Sequence, residues 1–148
     1  MSAPPVVTNF IEQLKTAQMD HAVGIRIVKV TGDDNTGLYV AELETHRAVT
    51  AHYHKNGSEI YQIVRGEGTI HTGLLSGNDT VTWNRSVDLK SGDCFTINEG
   101  QVHQLENTGS EPMIACFVCP AAHIGHDRFI VRDVVPSKKE VMHAAVPV

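Results

Sequence analysis

The sequence predicts an all-β fold, a small antiparallel β-barrel with short terminal helices. Three observations lead there. Eight or nine short runs rich in Val, Ile, Thr and Tyr follow one another between residues 25 and 119, the composition of half-buried strands. Clusters of Gly, Asn, Asp and Ser punctuate them: "TGDDNTG", "KNGS", "SGNDT", "KSGD", "NEG" and "TGSEP". No helical repeat intervenes, so a parallel sheet built from crossover helices is excluded and antiparallel sheets closing on themselves remain.

The elements follow in order. After a loose "SAPP" opening, Asn9 and Glu12 form an Asn-x-x-Glu capping pattern, and Phe10, Ile11 and Leu14 supply an apolar face, which predicts a short helix over about residues 9–18. Strands are expected at 25–31, 38–44, 48–54, 59–66, 68–75, 80–89, 93–99, 102–108 and 113–119. Beyond Pro120 the alternation dissolves into "AAHIGHDRFIVRD", and Ser137 with Glu140 makes a capping box for a second short helix. The chain therefore divides into an N-terminal arm (1–20), a β-barrel domain (21–122) and a C-terminal extension (123–148).

Composition narrows the function. At 148 residues a single domain buries about 70% of its unfolded surface, enough for a core without covalent staples. With 12 Lys and Arg against 17 Asp and Glu, a formal charge of −5, and no basic cluster, the chain lacks the electrostatic footprint of a nucleic-acid binder. Its longest apolar run, "MIACFVCPAA" (113–122), falls short of the roughly 20 residues that cross a bilayer. "MSAPPVVTNF" has no basic region before an apolar core, so no signal peptide is expected and the expected location is cytoplasmic. Three cysteines give an odd count with no disulfide framework. Cys116 and Cys119 have C-x-x-C spacing, but on a strand they point to opposite faces and read as small buried residues. Cys94 is held in reserve as a residue facing a pocket.

The chemistry lies in "AHYHKNGSEIYQIVRGEG" (51–68). His52 and His54, two apart on one strand, point the same way. The "KNGS" turn is expected to form a short hairpin that brings Glu59 beside them. His103 opens a strand just after the "NEGQ" turn and supplies a fourth group. Three imidazoles and one carboxylate would hold a first-row divalent metal at roughly 2.0–2.2 Å and, in six-coordinate geometry, leave two positions open for a ligand. Iron, manganese, nickel, cobalt, copper and zinc all suit such a set. Alternation from Glu59 adds Tyr61 and Ile63 to the inner face, and alternation from His103 adds Leu105 and Asn107, with Gln101 just before. Tyr61 and Gln101 are thus candidate substrate contacts, Tyr61 also a weak catalytic candidate. His123 and His126, spaced His-x-x-His beside Gly125, read as surface histidines on a loop.

These two segments resemble the paired motifs of the cupin superfamily. In the first, G-x5-H-x-H-x3–4-E-x6-G, the positions of His52, His54, Glu59 and Gly66 match, and His46 replaces the leading glycine. In the second, G-x5-P-x-G-x2-H-x3-N, Gly92, Gly100, His103 and Asn107 match, and Asn98 stands where proline is usual. Both departures fall on turns and strand entries and spare the ligands. The motifs cover about a third of the chain. The resemblance implies a jelly roll that binds one metal inside through His52, His54, Glu59 and His103, and a homodimer. It also implies a small-molecule substrate and either of two metal-dependent reactions: a dioxygenase on a diketone or enolate, or an isomerase or lyase on a sugar acid or related oxo acid. The alternative is a non-catalytic cupin that senses or stores a small ligand.

Overall fold

The computed structural model describes residues 2–133 and 135. One short helix, α1 (Phe10–Leu14), precedes twelve strands: β1 (Gln18–Asp20), β2 (Ile25–Gly32), β3 (Gly37–Leu43), β4 (His52–Tyr53), β5 (Glu59–Arg65), β6 (Gly68–Leu75), β7 (Val81–Trp83), β8 (Val87–Leu89), β9 (Cys94–Ile97), β10 (Val102–Asn107), β11 (Met113–Cys119) and β12 (Phe129–Ile130). A 3₁₀ turn, Ala121–Ile124, lies between β11 and β12. Pairing is antiparallel throughout, in one sheet of order β1-β2-β3-β11-β5-β9 and a second of order β12-β4-β10-β6-β7, with β8 on β6.

The alternation seen in the sequence sets which side chains meet between the sheets. Along β5, Glu59, Tyr61 and Ile63 are buried while Ile60 and Gln62 face solvent. Along β10, His103, Leu105 and Asn107 are buried with less than 3% of their surface exposed. Ile63 and Leu105 join Leu43, Met113 and Phe117 in the main core. A second apolar layer covers the outside of the first sheet, where Phe10 and Leu14 of α1 pack on Val28, Val30, Val40 and Cys116. Asn9 caps this helix, its Oδ1 accepting from the N–H groups of Ile11 and Glu12. The helix is shorter than the expected 9–18, and Ile11 is exposed rather than part of its buried face.

Two turns carry the conformational burden. Gly66 has φ +98°, and at Gly68 a Cβ would lie 2.2 Å from Met113 Cε and 2.3 Å from the Glu106 carbonyl oxygen. Only glycine allows β5 and β6 to join so close to neighbouring backbone. His46 occupies the position of the first motif's glycine with φ 61°, a left-handed conformation disfavoured for a side chain with a Cβ.

Several expectations change. The run at 80–89 is two strands, β7 and β8, and only His52–Tyr53 of the run at 48–54 is a strand, with Ala48 contributing an isolated bridge to Glu106. β4 and β5 do not form a hairpin. They belong to different sheets, so "KNGS" carries the chain from one sheet to the other. β1 and β12 are too short for their alternation to register in sequence. Ser137 and Glu140 lie outside the described residues.

Candidate metal centre

The two sheets bring the four candidate ligands together from opposite sides. His103 of β10 stands directly across from His52 of β4 in the register, which sets their ring centroids 4.3 Å apart. His54, one residue beyond β4, has its ring 5.1 Å from His52 and 5.3 Å from His103. Glu59 opens β5 on the facing sheet. Its Oε1 lies 3.3 Å from His54 Nε2, and its Oε2 lies 3.3 Å from His103 Nε2. All four side chains are buried. One ligand atom each from His52, His54 and His103 falls within a 4.8 Å sphere of mutual distances, as does one each from His54, Glu59 and His123.

The imidazoles are oriented from behind. His52 Nδ1 donates to the Thr50 carbonyl at 2.7 Å, His54 Nδ1 to the Asp127 carbonyl at 2.5 Å, and His103 Nδ1 to the Gln101 carbonyl at 3.0 Å. A neutral imidazole that donates through Nδ1 presents a lone pair at Nε2. The inward nitrogens of His54 and His103 are buried without a hydrogen-bond partner, facing a carboxylate that can only accept when ionised. Buried lone pairs aimed at one another are costly unless a cation joins them. The residues therefore fit a divalent ion held by three Nε2 atoms and one carboxylate oxygen, with second partners already locking the tautomers.

Electrostatics agree. Burial, followed by the neighbouring His103, holds the His52 pKa well below the usual imidazole value. Burial alone would raise that of Glu59, but the imidazoles of His103, His123 and His54 outweigh it and hold the carboxyl well below the usual range. The site thus offers a neutral imidazole and an ionised carboxylate, the forms that ligate metal.

The C-terminal segment contributes residues that the sequence reading missed. His123 was expected on the surface; it is 1% exposed. Its Nδ1 donates to Glu59 Oε1 at 3.1 Å and its Nε2 to the Asn56 carbonyl at 2.6 Å, and its ring stacks on His54 at 4.0 Å. Burial lowers its pKa, but the bond to Glu59 prevails and leaves it raised. His126 is exposed, as expected. Asp127 is also buried. Its carboxylate accepts from the backbone N–H groups of Lys55 and Asn56, which pins the crossing segment, while its carbonyl orients His54. The His-x-x-His interval was the sequence's one cue, and the flanking glycine and absent periodicity masked it.

Beside the ligands lies a cavity of about 40 Å³, with His52, Glu59, Tyr61 and His123 on its polar side and Ile25, Ile27, Val49, Leu105 and Phe117 among its apolar walls. Tyr61 packs against Phe95 and Phe117, and burial, reinforced by Glu59, pushes its phenol pKa well above the ordinary value. Gln101 does not reach this cavity; its Oε1 accepts from the Asn98 N–H and braces the turn. Asn107 is likewise a brace, donating to the Leu43 and Glu111 carbonyls. Cys94 is exposed rather than facing a pocket, and Cys116 and Cys119 are buried free thiols in two different core layers.

Comparison with known proteins gives the same reading of the fold. Residues 39–119 match the Cupin domain family. An oxalate-binding protein from Thermotoga maritima is 41% identical over 64 residues, 43% of this chain and 44% of that protein. Germin-like protein subfamily 1 member 20 from Arabidopsis thaliana is 28% identical over 93 residues, 62% of this chain and 41% of that protein. The chain thus spans less than half the length of these curated relatives. Among solved structures, a conserved protein with a double-stranded β-helix domain from Klebsiella pneumoniae superposes with a TM-score of 0.63 at 20% identity, covering 87% of this chain and 99% of that one. With two facing antiparallel sheets, a buried His and Glu cluster between them and a family match over more than half its length, this chain belongs to the cupin family.

Proposed function

We propose that the chain binds one divalent transition metal through Nε2 of His52, His54 and His103 and a carboxylate oxygen of Glu59, and acts on a small oxo or enol compound that chelates it. The observation that carries this reading is the pair of buried, unpartnered nitrogens, His54 Nε2 and His103 Nε2, converging on Glu59. A bound ion would supply Lewis-acid polarisation of a coordinated oxygen or, with a redox-active metal, electron transfer to O2. The protein's own groups bind and orient. The apolar walls give water few partners beside the ion, and a bound ligand that displaces it strengthens the charge interactions inside. Tyr61, kept protonated by burial and by Glu59, holds a proton on its phenolic oxygen and can donate a hydrogen bond to a ligand in the cavity. The proposal has two reactive forms, a dioxygenase and an isomerase or lyase, and includes a homodimer in the cytoplasm working without nucleic acid or membrane.

A second reading, a non-catalytic cupin that senses or stores its ligand, draws on one observation: the Thermotoga relative is named for binding oxalate rather than for turning it over. Metal analysis followed by oxygen uptake with a panel of diketones and oxo acids separates the two. Oxygen consumption that disappears in a folded Glu59→Ala variant supports the dioxygenase; substrate loss without oxygen uptake supports the isomerase or lyase. Bound metal with tight ligand binding and no turnover supports the sensor.

A further inference from the structure

We infer that Arg128 is the anion anchor of the cavity, which makes the ligand a small carboxylate, an oxo acid or dicarboxylate of two or three carbons. The inference rests on the metal-site reading above and names its substrate class.

Arg128 lines the same cavity as His52, Glu59 and Tyr61, and its side chain is only 12% exposed. Its backbone position is fixed relative to the ligands, because the preceding Asp127 holds both His54 and the crossing segment. Its partner is Asp20 of β1, at 2.6 Å from Nη1 and 3.3 Å from Nη2. A guanidinium has five N–H donors. Asp20 takes two, and among the described residues no acceptor meets the rest. A permanently charged planar fork with donors to spare, beside a cavity, suits a carboxylate.

Charge and size point the same way. Among the groups lining the cavity, Glu59 and Asp20 carry one negative charge each, and Arg128 and the doubly donating His123 one positive each; a divalent ion leaves the cavity net positive, which an anion completes. The cavity has a volume of about 40 Å³, and one water needs roughly 10–15 Å³. The space beside the ligands therefore holds about three water-sized groups, which suits a short acid better than a sugar or an aromatic acid.

The test is calorimetric titration of the manganese-loaded protein with oxalate, pyruvate and acetylacetone, a chelator without a carboxylate. Oxalate or pyruvate should bind the unaltered protein. Arg128→Gln should weaken that binding at least tenfold while metal content and acetylacetone affinity change less than threefold, and Arg128→Lys should recover part of the loss. Asp20→Asn should bind the carboxylates at least as tightly as the unaltered protein, because it removes a competing anion. A mere structural clamp would make Asp20→Asn and Arg128→Gln lose affinity alike, and that result overturns the inference. So does an equal loss for acetylacetone in Arg128→Gln. Binding of acetylacetone alone overturns the carboxylate assignment and leaves the metal site standing; binding of none of the three overturns both.

Discussion

His123 Nδ1 donates to Glu59 Oε1 at 3.1 Å, while its Nε2 donates to the Asn56 carbonyl at 2.6 Å. One carboxylate oxygen is thereby committed to an imidazole that both sheets bury. The other, Oε2, faces His103 and is the one left for a metal, so on the proposed reading His123 positions Glu59 to ligate through a single oxygen. Removing such a supporting partner typically costs 10–100-fold in metal affinity. His123→Ala should therefore weaken metal binding by roughly that factor, read by competition with a chromogenic chelator, while His126→Ala, on the exposed neighbour, leaves it unchanged. Equal affinities for the two variants would contradict the role given to His123.

Acid should destabilise the metal-free protein partly through His52. Its folded-state pKa lies well below the unfolded value near 6.5. Between those two values the unfolded chain takes up a proton that the folded chain refuses, so stability falls as pH drops below about 6.5, by at most about 1.4 kcal/mol per pH unit for this one group. His123 has the opposite sign. Its pKa is raised on folding, so its contribution is full below the unfolded value and is lost as pH rises through the folded one. Denaturant titrations from pH 7.5 to 5.5 should show a shallower acid slope in His52→Gln than in the unaltered protein, and a steeper slope there would reverse the assignment.

The strand pattern made the four candidate ligands legible. His52 and Glu59 begin strands, His54 lies one residue beyond β4 and His103 is the second residue of β10, and period-2 patterning is a local property that a sequence records directly. Which sheet receives the next strand is not local. "KNGS" reads as a hairpin because its residues favour turning, yet the chain turns into the opposite sheet, and this crossing is what lets Glu59 face the imidazoles from across the core. His123, Asp127 and Arg128 were invisible for a related reason. Their burial comes from contacts with residues 54–59 and with Asp20, more than 60 positions away, and no periodicity marks a segment held by such bonds. Gln101 braces the turn instead, its side-chain oxygen accepting from the Asn98 N–H, a local bond that alternation does not reveal.

Thiol chemistry should single out one cysteine. Cys94 is exposed, whereas Cys116 and Cys119 are buried and burial pushes both of their thiol pKa values up, which suppresses the reactive thiolate. A disulfide-exchange reagent at neutral pH should titrate one thiol per native chain and three after unfolding in guanidinium. Rapid labelling of all three in the native protein would refute the packing described here.

His46 should be a site of gain. Its φ of 61° costs a residue with a Cβ about 1–2 kcal/mol, partly offset by the roughly 0.5–1 kcal/mol that glycine loses in chain entropy. The side chain is exposed and lies outside the metal cluster. His46→Gly is expected to stabilise the fold by about 0.5 kcal/mol in urea unfolding with metal content unchanged; a loss of stability would show that the histidine makes a contact worth more than its strain.

The central claim is that one ion joins two sheets through four side chains. Anomalous diffraction at the absorption edge of the metal found in the purified protein tests it most directly. A single peak per chain is expected, at about 2.0–2.2 Å from Nε2 of His52, His54 and His103 and from one oxygen of Glu59. A peak at any other cluster, or none at this one in protein shown to carry stoichiometric metal, would contradict it.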